Sequence, residues 1–163
     1  QLLSYYVKQD KLKRISYGVY AFKDSLNFDF QSLLKEKLAC IPHGIVGLES
    51  ALKLYGLTDE TPDIFHLIVP LSNVPKRKIA DVKFYRMKNN IYKKHTTNIR
   101  YLPVSSLERT IIDLLRFGYS ISFVLSVIED SKKKKIPISL GKVRKLAPMY
   151  RVKGKVFRLM EVL

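Results

Sequence analysis

Pro103-Val104-Ser105-Ser106-Leu107-Glu108-Arg109-Thr110-Ile111-Ile112-Asp113-Leu114-Leu115-Arg116-Phe117-Gly118 decides the reading of this chain. It predicts a strand end, a cap, a core helix and a stop. Ser105 and Glu108 stand three apart, as in an S-x-x-E capping box, where the hydroxyl takes a free N–H of the first turn and the Glu reaches back. Leu107, Ile111, Leu114 and Leu115 recur at helical spacing on one broad face. Gly118 can take the left-handed conformation that ends a helix. Arg109, Asp113 and Arg116 are four and three residues apart. That spacing predicts an ion chain on the polar face, either as surface support or as a site built on Arg109 and Asp113.

Upstream, Asn98 to Val104 reads as a strand leading into this helix. Before it, Lys88 to Thr97 reads as a polar turn, and Asp81 to Met87 alternates like a half-buried strand with Val82, Phe84 and Arg86 on one side. Phe65 to Val69 is a short apolar run closed by Pro70, a buried strand. Leu71 to Lys78 is an exposed loop carrying Lys76, Arg77 and Lys78. Two helices are expected earlier. One starts after the cap Asp29 and runs from Phe30 to about Leu38; the other runs from Val46 to Tyr55 and ends at Gly56. Downstream, Ser120 caps a helix to about Ser131, Ser139 to Tyr150 forms another, and Val156 to Leu163 closes the chain. At the N-terminus, Leu2, Leu3, Tyr6 and Val7 mark the end of an amphipathic helix. The runs Leu12–Ser16 and Val19–Phe22, joined through Tyr17-Gly18, form a basic hairpin.

The 163 residues bound one domain or a small pair. The best internal boundary is the polar connector after Lys23, giving segments 1–24 and 25–163. No run approaches the about 18 apolar residues that a membrane helix needs, and no secretory leader is visible. Cys40 is the only cysteine, which excludes an internal disulfide and suits a reducing, cytoplasmic setting. The chain begins at Gln1, so further residues are expected upstream.

Charge is the strongest compositional feature. The chain carries 30 Lys+Arg against 14 Asp+Glu, net +16. Nine basic residues and one acidic residue lie between Lys76 and Arg100, and eleven basic residues with no acidic one between Lys132 and Arg158. Such blocks favour a polyanion, because lysine and arginine release counterions when they neutralise phosphates. A helix running into a basic hairpin also forms the second half of a winged helix-turn-helix, in which the helix enters the major groove and the wing touches phosphate. DNA contacts are therefore expected from Lys8, Lys11, Lys13, Arg14 and Tyr17 and from the Lys76-Arg77-Lys78 loop, with Lys11, Lys13, Arg14 and the loop gripping phosphate and the helix ending near Gln9 reading bases.

Signatures of chemistry are sparse. Cys40-x-x-His43 supplies two ligand types where a structural zinc needs four. Phosphate-binding glycine loops and the G-x-S-x-G elbow are absent, and no cofactor is expected. Pro62-Asp63 followed by Asp81-Val82-Lys83 resembles the PD…D-x-K motif of restriction-endonuclease-like nucleases. There, Asp63 and Asp81 would hold Mg²⁺ and Lys83 would orient the attacking water.

A wider resemblance covers nearly the whole chain. Val46-Gly47-Leu48-Glu49-Ser50-Ala51-Leu52-Lys53-Leu54-Tyr55-Gly56-Leu57-Thr58 resembles the LESALxLxGLTD helix of the AbiEi antitoxins, which belong to the AbiE abortive-infection systems. Glu108 to Arg116 is similar to that family's central helix, Arg14 to Phe22 to its wing, and Tyr150 to Lys153 with Met160 to Leu163 to its C-terminus. Two departures stand out. The first helices of the winged domain are missing, and Lys93-Lys94-His95-Thr96-Thr97 stands where the family usually carries glycines.

The resemblance implies an α+β protein: a partial winged helix-turn-helix, with recognition helix and wing, followed by a mixed α/β antitoxin domain with a small sheet and several helices. It implies a non-enzymatic transcriptional regulator of phage defence. Such a protein binds double-stranded operator DNA, represses its own operon and counteracts a nucleotidyltransferase-like toxin without a stable complex. Arg14, Gly18 and Tyr20 match the wing, and the Arg109–Asp113 helix matches a structural position. A different reading has the basic C-terminal block touch the toxin directly.

Overall fold

The computed structural model describes residues 2–16, 18–23 and 29–163 of the chain. The described residues form eight helices and two sheets in a mixed α+β arrangement. They group into two compact units, 1–44 and 45–163. The boundary read from the sequence lay at 24/25; the helix that follows it groups with the first unit.

The first unit begins with helix α1 (Leu2–Lys8), followed by an antiparallel ribbon of β1 (Leu12–Ser16) and β2 (Val19–Phe22). Its strand ends coincide with the sequence reading. Gly18 takes φ +74° in the connection, the positive value that only glycine adopts without strain. The pairing slips between Arg14 and Ser16. Helix α2 (Phe30–Cys40) starts where expected, because the Asp29 carboxylate accepts the Ser32 N–H at 2.8 Å. Tyr17 and most of the expected connector, residues 24–27, lie outside the described residues.

The second unit is built on a five-stranded mixed sheet, ordered β5-β4-β3-β7-β6. Strand β3 (Ile45–Val46) pairs antiparallel with β4 (Phe65–Pro70) and parallel with β7 (Leu102–Ser105). Strand β5 (Val82–Met87) runs parallel to β4, and β6 (Thr96–Ile99) pairs antiparallel with β7. All six β4 residues are buried, as its mostly apolar character favours, the polar His66 among them.

Several expectations are corrected. Helix α3 spans Leu48–Leu54, because Ile45 and Val46 are taken by the sheet and Gly47 becomes the N-cap. A Cβ on Gly47 would lie 2.6 Å from Ile68 Cδ1, so only glycine lets helix and strand approach this closely. The strand expected over 98–104 is a tight hairpin, because Arg100 and Tyr101 turn the chain with φ of +48° and +69°. The polar turn before it contains a short helix, α4 (Asn89–Tyr92), with Ile91 and Tyr92 buried. In β5, Tyr85 and Met87 point into the core, rather than the side bearing Arg86.

The organising helix is α5 (Leu107–Arg116). Its cap is Ser106, whose hydroxyl accepts the Arg109 N–H at 3.3 Å. Ser105 is the last residue of β7, buried, with its hydroxyl 2.8 Å from that of Thr110. The cap thus lies one residue later than read and no reciprocal box forms, since Arg109 stands three residues on and Glu108 instead accepts from the Ser139 N–H. Ile111, Ile112, Leu114 and Leu115 are fully buried. Each contributes about 1.5–3 kcal/mol to stability.

Helix α6 (Ile121–Lys133) is capped by Ser120 as read. It buries Val124, Val127 and Ile128. Helices α7 (Leu140–Leu146) and α8 (Lys153–Glu161) complete the unit. The former is shorter than expected and ends ahead of Pro148.

Candidate functional site

The expected DNA-binding side chains are divided between the two units. Lys8 ends α1, Lys11 precedes the ribbon, and Lys13 and Arg14 lie on β1; all four are exposed. Successive strand residues point to opposite sides, so Lys13 and Arg14 take opposite faces of the ribbon. Lys23 pairs with Asp10 across the base of the ribbon. Such an exposed pair contributes about 0–1 kcal/mol. Lys76, Arg77 and Lys78 belong to the second unit, on an exposed loop between a 3₁₀ turn (Leu71–Asn73) and β5.

The C-terminal basic block is also displayed outward. Lys142, Arg144, Lys145, Lys153 and Arg158 are exposed on α7 and α8. Several lysines of this block are tied down, among them Lys133, which pairs with Asp130 at 3.3 Å. Lys155 donates to the Leu115 carbonyl at 2.7 Å, and Lys134 to Asp59 and the Gly56 carbonyl, both at 3.0 Å.

Arg109 and Asp113 are not a surface ion chain. Both are 0% exposed, and Arg109 Nε lies 3.1 Å from Asp113 Oδ2. The remaining guanidinium donors reach the carbonyls of Tyr92 at 2.7 Å and Lys94 at 2.6 Å, and the Met87 sulfur at 3.2 Å. Arg109 therefore pins the segment after α4 to α5. Tyr150 closes the same node: its ring lies under the guanidinium, its hydroxyl donates to the Lys94 carbonyl, and His95 Nδ1 is 2.9 Å away. Arg116 reaches the Tyr150 carbonyl at 3.1 Å. Asp113 Oδ1 is buried without a hydrogen-bond partner among the described residues. Burial pushes the Asp113 carboxyl up to about 6, against the pull of Arg109 and Arg116. Burial likewise pushes the Tyr150 phenol up to about 12.

A cleft of about 740 Å³ opens between α3, the start of β4 and β5, and α6. Glu49, His66, Lys83 and Tyr119 contribute to its floor and walls. The Tyr119 hydroxyl donates to the Glu49 carboxylate at 2.5 Å, and His66 Nδ1 lies 2.8 Å from the Tyr85 hydroxyl. Burial, with Lys83 nearby, lowers the His66 pKa against the opposing pull of Glu49, so the imidazole is neutral at pH 7. Burial and the bond to Glu49 raise the Tyr119 phenol well above its ordinary value.

Asp63 and Lys83, two members of the nuclease-like trio, line this cleft. Asp81 does not. It precedes β5 at φ +60°, and its carbonyl accepts the Phe65 N–H at 2.7 Å. No group of three or more His, Cys, Asp or Glu side chains is placed to hold a metal ion among the described residues, Cys40 and His43 included.

Sequence reasoning passed over the cleft. Its one available signal was His66, a polar residue inside the apolar run of β4. No helix among the described residues is long and apolar enough to cross a membrane. Compared with family models and with curated proteins, the chain finds no match in either.

Proposed function

We propose that this chain is a DNA-binding transcriptional regulator of the antitoxin type, without catalytic activity of its own. The observation that carries the reading is the first unit. A short helix feeds an antiparallel ribbon, and Lys8, Lys11, Lys13 and Arg14 all stand exposed on these elements. In this reading α1 is the end of a recognition helix and the ribbon is a wing that grips phosphate. The exposed Lys76-Arg77-Lys78 loop adds phosphate contacts from the second unit. The resemblance to AbiEi antitoxins supplies the rest: repression of its own operon, and opposition to a nucleotidyltransferase-like toxin that it does not hold in a stable complex.

The test is binding of the double variant Lys11→Glu/Lys13→Glu to duplex DNA from upstream of the gene. Each lost phosphate contact reduces the slope of log K against log salt by about 0.9. The reading expects weaker binding and a slope shallower by nearly two. Unchanged affinity and slope would remove the ribbon from the interface. Co-elution of this chain with its toxin on a sizing column would instead favour direct toxin contact.

A further inference from the structure

A groove of about 350 Å³ opens in the second unit between the end of α7 and one side of α8. Lys153, Phe157, Met160 and Glu161 stand at i, i+4, i+7 and i+8, so they form one stripe of α8 and one wall of the groove. The core takes the neighbouring side of that helix through Val156 and Leu159. Val156 and the small side chain of Ala147, both buried, make the floor. Above them an apolar wall is left over. Phe157 is 63% exposed, and Met149, which follows the lining residue Pro148, is 41% exposed.

The rim carries an independent signal. Arg144 and Lys153 border the groove, and neither side chain makes a hydrogen bond or ion pair among the described residues. Lys134 and Lys155 of the same basic block are held internally. Between Lys132 and Arg158 stand eleven basic residues and no acidic one, so this stretch supplies no carboxylate for the two rim cations. Glu161 is the one acid at the groove. It stands eight residues from Lys153 along α8, about 12 Å away, and repels carboxylates at that end.

These features choose among occupants. A second copy of the chain would set one basic face against another, and like charges oppose it. A membrane surface takes apolar side chains that protrude, whereas these line a depression. A groove between two helices accepts the side-chain ridge of a third, and about 12 Å is two turns of it. Acidic residues are also favoured in the first turn of a helix.

We propose that the α7–α8 groove receives an acidic amphipathic helix of a partner protein. Its apolar ridge packs on Phe157 and Met160 over Ala147 and Val156. The carboxylates of its first turn meet Lys153 and Arg144, and its later, neutral turn passes Glu161. The proposal uses none of the side chains assigned to DNA and stands or falls separately from that reading.

The probe is the peptide acetyl-Glu-Glu-Leu-Glu-Glu-Leu-Leu-Ala-Glu-Leu-Ala-Gln-amide, titrated into the full chain with its methionine methyl groups labelled for NMR. The chain has three methionines, and they report separately. Met160 lines the groove, Met149 lies beside it, and Met87 is buried in the sheet. Saturable binding is expected, with the Met160 signal moving and the Met87 signal fixed. Phe157 and Lys153 are exposed, so Phe157→Ala and Lys153→Glu keep the fold, and each is expected to weaken binding about tenfold. Absence of saturable binding, an unmoved Met160 signal, or unchanged affinity in Phe157→Ala would overturn the proposal. So would equal binding of a scrambled peptide whose leucines share no face, or of the peptide with Gln for every Glu. Tighter binding to phosphatidylserine vesicles than to the peptide, lost in Phe157→Ala, would give the groove to a membrane instead. A concentration-dependent dimer lost in the same variant would give it to a second copy.

Discussion

Replacing Asp113 by Asn tests the central node of the fold. Asp113 is fully buried beside Arg109, and one of its oxygens has no partner among the described residues. Its carboxyl is raised from 3.8 to about 6, with burial as the largest cause. A carboxyl raised on folding binds its proton more tightly in the native state. It therefore stabilises fully below the unfolded value near 4, and that contribution is lost as pH rises through about 6. A displacement of about two units corresponds to about 3 kcal/mol. Asparagine cannot ionise, so Asp113→Asn gains on the wild type by about this amount between pH 4 and pH 7. With a urea dependence near 2 kcal/mol/M, the midpoint difference moves by about 1.5 M in favour of the variant. Urea titrations of both proteins at matched pH values, followed by circular dichroism, give the difference directly and cancel the response of every other group. A difference that stays flat, or that moves in favour of the wild type as pH rises, would refute the reasoning. The latter would show that attraction to Arg109 outweighs burial.

Other substitutions probe the same architecture. Arg109→Met leaves Asp113 buried without its cation and strips donors from the Tyr92 and Lys94 carbonyls. A loss of about 3–5 kcal/mol is expected in the same denaturation assay. Tyr150→Phe removes the hydroxyl shared by His95 and the Lys94 carbonyl and should lose about 1–3 kcal/mol, with the His95 NMR signals shifting. Gly47→Ala forces a methyl group against Ile68 and should lower stability by about 1–3 kcal/mol, whereas alanine at exposed Gly141, where a Cβ meets nothing, should not.

The parts of the fold that were legible in the sequence are those whose signals are local. Asp29 and Ser120 announce their helices because a cap is a side chain three residues from the N–H it accepts. The ribbon could be read because Gly18 sits in its turn. The second hairpin could not, since Arg100 and Tyr101 occupy left-handed positions that asparagine or glycine usually fills. Strand β3 has only two residues and exists through its partners on either side. The i, i+4 spacing of Arg109 and Asp113 is the same on a wet face and in a core. Only packing against α4 and Tyr150 decides it.

The candidate sites divide in the same way. Lysines on a ribbon or loop are exposed almost by default, so the basic surfaces followed from composition. The cleft did not, because Glu49 and Tyr119 meet across 70 positions, and His66 and Tyr85 across 19. Of the Asp63…Asp81–Lys83 pattern, Asp63 and Lys83 line the cleft and Asp81 does not, a difference that spacing along the chain does not carry.

The most direct measurement is fluorescence-anisotropy binding of the full chain to duplex DNA from upstream of its own gene, beside a scrambled duplex of equal length, at low and physiological salt. A sequence-reading regulator binds the native duplex more tightly, and that preference survives physiological salt. Equal binding to both duplexes that disappears at physiological salt would contradict the account and leave a polycation with no reader.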